Sequence, residues 1–262
     1  VFLQSIACTL FALCLINLNV IMGDSIEKNE NMKVIYLIRH AQSEENRRLA
    51  SLKESFGAIT RFSLPKASDL SAAMQLLNVP AQVDSDVSGL GESQIKKVAK
   101  SLEKDNFLES HGIKLVAHSP LKRARQTSEG MLGCGSSLET KPVSVDRVIE
   151  LELLTEKSPS EWIPGNDGAL KKRINDLEAW LLEQPEEKIC LVGHSQYFKS
   201  MLNMDFLFGN CDVWEVKISE SDTVNTCDEK YKLPKGWSGL KRLYSYDDRD
   251  LSTTTNADTN VE

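Results

Sequence analysis

Three short apolar runs constrain the fold of this chain most. Met32 to Ile38 (MKVIYLI) is continuous but for Lys33, and Leu115-Val116-Ala117 and Ile189-Cys190-Leu191-Val192 repeat the pattern. Such runs have no polar face, so each reads as a strand buried on both sides, as in a parallel sheet covered by helices. The segments between them carry helical periodicity. Ile95, Val98, Ala99 and Leu102 recur at i, i+3, i+4 and i+7, and Leu170, Ile174, Leu177 and Leu181 mark a second amphipathic stretch that Pro185 ends. Strands alternating with helices predict an α/β fold, a three-layer α/β/α sandwich on a mostly parallel sheet. Val213 to Ile218 and Leu240 to Tyr246 read as later, edge-type strands.

The chain has 262 residues, with 31 Lys plus Arg against 38 Asp plus Glu, a net charge of −7. That balance argues against a general grip on nucleic acid, because no net positive field attracts phosphate backbones. A small basic pocket remains compatible with it. Cys8, Cys14, Cys134, Cys190, Cys211 and Cys227 form no CxxC and no metal-ligand spacing with His. Two disulfides among the last four would suit a secreted chain. Free thiols are the expectation, since a domain of this size needs no staples.

Residues 1–23 carry no charge, and the apolar core Leu10 to Ile16 has the length of a signal-peptide core. Asn17 and Asn19 interrupt it, which weakens a membrane span. A signal peptide is the first expectation, an uncleaved anchor the second and a mistaken gene start the third. The first two would place the protein in the secretory pathway or on a membrane; otherwise a cytoplasmic location is expected. A polar linker (24–31) leads into a domain spanning 32–250, and residues 251–262 are too polar to pack and are expected to be disordered.

In open α/β sheets function gathers at the carboxyl ends of the strands. After the first run come Arg39-His40, after the second His118-Ser119-Pro120-Leu121-Lys122-Arg123, and after the third Gly193-His194-Ser195. A guanidinium binds phosphate through a planar fork of donors, and a neutral imidazole is a nucleophile near working pH. Arginines and histidines converging on one rim describe a site for a phosphoryl group. Gly193 suits a close backbone approach to a ligand. His118 is a lesser candidate for touching substrate, His111 reads as surface, and Trp162 and Trp180 read as packing. Ser195 is no nucleophile elbow, because G-x-S-x-G is absent.

With these residues in view, the sequence resembles the histidine phosphatase superfamily, also called phosphoglycerate-mutase-like, over about 32–218. Arg39-His40-Ala41-Gln42-Ser43-Glu44-Glu45-Asn46 is close to R-H-G-x-S-x-x-N, with Ala41 in place of Gly. The stretch Asp84 to Gln94 looks like D-x-x-L-T-x-x-G-x-x-Q at a helix start. Ser119 to Thr127 matches S-P-L-x-R-A-x-Q-T, and Val192 to Ser195 is similar to V-G-H-[GS]. The resemblance implies a phosphoglycerate-mutase-like fold and a role for each matching residue. His40 would attack phosphorus. Arg39, Arg123 and His194 would bind the equatorial oxygens, and Asn46 the phosphoryl group or its ester oxygen. The family's acid lies in L-x-E; here Leu154-Thr155-Glu156 fits, followed six residues later by Trp162, and Glu156 is preferred over Glu150 and Glu152.

The resemblance thus implies a histidine acid-type phosphatase, a hydrolase of phosphoric monoesters that needs no metal and no cofactor. Its partner would be a small phosphorylated substrate, ahead of a phosphoprotein, with membrane contact only through an uncleaved anchor. A phosphoglycerate-type mutase is the alternative, and a catalytically weak phosphate-dependent binding protein is the other. Lys157-Ser158-Pro159 after Glu156 does not resemble the stretch found in the glycolytic mutases, which favours the phosphatase. Residues 47–83 form a possible cap insertion. Arg47 and Arg48 in it are either solvated helix charges or ligands for a second anionic group.

Overall fold

The computed structural model describes residues 32–47, 84–163, 165–220 and 231–247. The expected signal or anchor, the polar linker, nearly all of the 47–83 insertion and the C-terminal tail lie outside the described residues. All described residues belong to one unit that begins at Met32.

Among the described residues, six strands form one sheet: β1 (Lys33–Arg39), β2 (Leu115–His118), β3 (Arg147–Glu150), β4 (Lys188–Gly193), β5 (Val213–Ile218) and β6 (Trp237–Tyr244), in the order β3-β2-β4-β1-β5-β6. The pairs β1/β4, β4/β2 and β2/β3 are parallel, whereas β1/β5 and β5/β6 are antiparallel. The sheet is therefore mixed, with the parallel strands at its centre as expected. The sequence missed β3, an edge strand whose four residues are only partly buried or exposed. β6 begins at Trp237, ahead of the expected Leu240.

Among the described residues, five helices flank the sheet: α1 (Gly89–Lys104), α2 (Phe107–Ser110), α3 (Lys122–Leu132), α4 (Gly168–Glu183) and α5 (Ser195–Met201). Alternate side chains of each central strand enter opposite cores, as strand geometry dictates. Ile35, Leu37, Leu115, Ala117, Ile189 and Leu191 pack with Leu170, Ile174, Leu177 and Leu181 of α4 and with Tyr197, Phe198 and Met201 of α5. Tyr36, Ile38, Val116, Cys190 and Val192 pack with Ile95, Val98 and Leu102 of α1, Phe107 of α2 and Met131 and Leu132 of α3. Both faces are covered, which gives the α/β/α layering.

Lys33, the one polar residue in the first run, is buried because its Nζ donates to the Gln184 carbonyl and, at 3.2 Å, to that of Glu186. It thereby satisfies carbonyls beyond the C-terminal end of α4, where a cation is favoured. Cys134, Cys190 and Cys211 are buried free thiols; Cys8, Cys14 and Cys227 are not among the described residues. No described helix is long and apolar enough to cross a membrane.

Candidate active site

Sheet register brings the polar residues after the strands together. Arg39 lies opposite Gly193, and His118 opposite Val192, so β1, β2 and β4 end at one level. His40, Ser119 and His194 follow directly, and the His40 N–H donates to the Gly193 carbonyl at 2.9 Å. The two imidazoles meet edge to face with centroids 5.1 Å apart.

His40 is buried, and its Nδ1 lies 2.6 Å from the Ala41 carbonyl. A carbonyl can only accept, so Nδ1 carries the proton and Nε2 keeps its lone pair. Burial first, then the charges of Arg123 and Arg39, push its pKa well below the ordinary value. The ring is therefore neutral at physiological pH. His194 is fully buried and pushed down in the same way, first by burial and then by Arg123, His40 and Arg39. Ser119 Oγ accepts from Leu121 N–H at 3.4 Å and is hydrogen-bonded to His194 Nε2 at 2.8 Å. His194 Nδ1 lies 3.7 Å from Glu156 Oε2 and has no hydrogen-bond partner among the described residues.

Glu156 reaches the rim because Leu154, two residues earlier, is fully buried and pins the short 3₁₀ turn Glu152–Leu154 against the core. Burial raises its pKa, opposed by the Lys157 N–H at 2.9 Å from Oε1, the charges of Arg123 and Arg39, and the Tyr197 N–H. The other two glutamates are solvent-exposed. Exposed Glu150 accepts from Ser136 Oγ, and exposed Glu152 from Thr155 Oγ1.

Arg39 ends β1, and its Nη1 donates to the Phe208 carbonyl, while Nε has no partner among the described residues. Arg123 is buried in the first turn of α3. Asn46, half-buried, lies in the helical turn 44–47, its N–H held by Ser43 Oγ at 3.3 Å. His40, Glu156 and His194 offer ligand atoms all within 4.8 Å of one another, a spacing that a metal ion could use. Two guanidiniums close enough to depress both imidazoles make the same space repel a cation and attract an anion.

The motif residues around this cluster act as latches. Thr127 Oγ1 receives Ala41 N–H at 2.9 Å and donates to the Arg123 carbonyl at 2.6 Å. Gln94 Oε1 receives Gln42 N–H at 2.9 Å, and Gln126 Oε1 receives Val87 N–H at 2.9 Å. Asn210, on the loop between α5 and β5, donates to the His40 carbonyl at 2.9 Å. Ser119 and Thr127 stand inside a quoted motif, and their hydroxyls could have been singled out there. Nothing in the sequence around Asn210 marks it.

Other expectations change. His118 is fully buried with both nitrogens occupied: Nδ1 lies 3.0 Å from the Ser119 carbonyl and Nε2 receives Ser136 N–H at 3.1 Å. It is a packing histidine, not a ligand for substrate. Gly193 has a packing role, since a Cβ there would lie 2.9 Å from Phe198 Cζ. His111 is half-buried rather than surface, its Nδ1 3.0 Å from the Phe107 carbonyl at the end of α2. Trp180 packs against the core as expected; the side chain of Trp162 is outside the described residues. Arg47 is exposed and pairs with Glu44 at 2.8 Å; Arg48 is not described.

No protein-family model and no curated protein sequence matches the chain. Solved structures similar to it include a mycobacterial glucosyl-3-phosphoglycerate phosphatase, at 16% identity and TM-score 0.41, covering 71% of this chain and 91% of that one. A phosphoserine phosphatase variant from Entamoeba histolytica, solved with phosphoserine, has 16% identity and TM-score 0.43, covering 72% and 95%.

Proposed function

We propose that the chain is a phosphatase of the histidine phosphatase superfamily that hydrolyses phosphate monoesters through a phosphohistidine on His40, without a metal. The observation that carries this reading is the buried, neutral His40. Its Nδ1–H is committed to the Ala41 carbonyl and its ring is flanked by His194, Glu156 and two guanidiniums. A nucleophile needs its lone pair free, and a phosphoryl group needs fixed positive charge around it.

In the first step Nε2 of His40 forms a bond to phosphorus as the ester P–O bond breaks. The proton of Glu156 goes to the departing oxygen, so the alcohol leaves neutral. Burial keeps that carboxyl protonated further up the pH scale than an exposed one. Arg39, Arg123, Asn46 and His194 hold the non-bridging oxygens. In the second step water attacks phosphorus and gives a proton to the Glu156 carboxylate while the P–Nε2 bond breaks, its electron pair returning to His40; phosphate leaves and both His40 and Glu156 are restored.

The test is hydrolysis of small phosphate monoesters by the full chain and by His40→Ala, with and without a chelator. Wild-type turnover that survives the chelator, is inhibited by vanadate and disappears in folded His40→Ala is expected. Activity that vanishes with chelator and returns with a divalent metal would overturn the metal-free reading.

A further inference from the structure

We propose that the ion pair between buried Glu161 and half-buried Arg173 is a tether that fixes the position of Glu156, making both members positioning residues for proton transfer to the leaving group. The inference rests on the reading of Glu156 as the acid. Glu156 stands on an irregular segment between two short 3₁₀ turns, Glu152–Leu154 and Pro159–Trp162, so no regular element holds it. Its carboxylate takes direction from the next peptide through Lys157 N–H. The residue after that, Ser158, is where the tether attaches.

Glu161 Oε2 receives Ser158 N–H at 2.7 Å, and Ser158 Oγ receives Glu161 N–H at 3.4 Å, which closes a capping box. The same Oε2 receives Arg173 Nη2–H at 3.3 Å. A capping box on an exposed turn needs no cation. Here Glu161 is only 4% exposed, so its carboxylate requires a counter-charge, and Arg173 supplies it from α4. α4 is itself pinned by four buried leucine and isoleucine side chains.

Arg173 also reaches the other side of the acid. Its guanidinium lies over the Tyr197 ring at 5.5 Å, and the Tyr197 hydroxyl donates to the Arg173 carbonyl at 3.4 Å. Tyr197 is fully buried on α5, three residues after His194. One arginine thus joins the loop that carries Glu156 to the helix that begins after His194. An ion pair of this kind adds little net stability over apolar side chains of the same volume, so its contribution here is position. Misplacement by an ångström costs a proton-transfer step heavily, while an ester whose leaving group departs as a stable anion needs little from the acid.

The test compares an alkyl ester, glycerol phosphate, with p-nitrophenyl phosphate in full-length wild type, Glu156→Gln, Glu161→Ala and Glu161→Gln, with thermal melts alongside. Glu161→Ala is expected to lose about 10- to 100-fold in kcat on the alkyl ester and far less on the aryl ester. Glu161→Gln retains an oxygen for Ser158 and Arg173 and should recover most of the alkyl activity. If Glu161→Ala does not melt cooperatively, Arg173→Lys takes its place, with a smaller loss of the same ester dependence expected. Equal losses on both esters, or none, in folded Glu161→Ala or its Arg173→Lys stand-in would overturn the tether. If Glu156→Gln itself lacks the ester dependence, the acid assignment falls and takes the tether with it. If Glu156→Gln shows it and neither Glu161→Ala nor Arg173→Lys does, the tether alone falls.

Discussion

Replacing Thr127 with Val separates the structural from the catalytic contribution of the strand-end motifs. Thr127 is fully buried, and its hydroxyl links two parts of the site: it receives Ala41 N–H and donates to the Arg123 carbonyl. Valine has almost the same shape, so no cavity opens. Ala41 is also fully buried, so its N–H would be left without a partner. That desolvated donor costs about 1–3 kcal/mol, and the lost bond to the helical carbonyl about 0.5–1.5 kcal/mol more. A total of about 1.5–4.5 kcal/mol fits inside the roughly 5–15 kcal/mol that holds a domain together, so the variant should fold. The catalytic effect is separate. The carbonyl of the same Ala41 orients the His40 ring through Nδ1, and releasing that residue should lower kcat by about 10- to 100-fold. Urea unfolding gives the first quantity and initial rates on p-nitrophenyl phosphate the second. Thr127→Ser retains the hydroxyl and should recover most of both. A Thr127→Val protein with wild-type stability and wild-type kcat would refute the reasoning.

Gly91→Ala should be much more damaging than Gly193→Ala. A Cβ on Gly91 would lie 2.1 Å from the Gln42 carbonyl oxygen, which is backbone, whereas one on Gly193 meets the end of the Phe198 ring at 2.9 Å. Overpacking of about 1–3 kcal/mol is expected for Gly91→Ala, read as a lower melting temperature, and the reverse order would contradict the packing of α1 on the His40 loop. In phosphate-free buffer, stability should fall as pH drops below about 6.5, because His40 and His194 are held neutral in the fold and bind protons freely once unfolded. Glu156 works in the opposite sense, since its raised pKa contributes stability at low pH that is lost as pH rises, but two imidazoles outweigh one carboxyl. Urea midpoints from pH 7.5 to 5 should show the fall, and His40→Asn should flatten it; a level profile would contradict the burial of neutral rings.

The three central strands were legible because a strand buried on both faces has no polar alternation to obscure it. The arginines and histidines after them were legible because a parallel sheet collects its strand ends at one rim. β3 was not, since Arg147 and Glu150 at its ends and partial burial between them resemble a loop. Among the three glutamates the sequence offered only spacing; the structure separates them by burial, placing Glu156 beside His194 and the other two in solvent. Gly193 was read for the ligand and is found to serve Phe198, a packing relation between residues five apart that no local pattern exposes. His118 stood next to a motif, but its two hydrogen bonds are to the backbone of its own neighbour and of Ser136, and only the folded loop shows the second. Asn210 comes from a loop without pattern, delivered to His40 by the antiparallel turn into β5.

A covalent bond between phosphorus and His40 Nε2 can be trapped as the intermediate itself. The full-length protein is mixed with a ³²P-labelled monoester, quenched in base within a turnover, and the labelled peptide is mapped. A label that survives base, is lost in acid, maps to His40 and is missing from His40→Ala is expected. A protein that hydrolyses the ester with no such label, or a label that persists in His40→Ala, would overturn a phosphohistidine on His40.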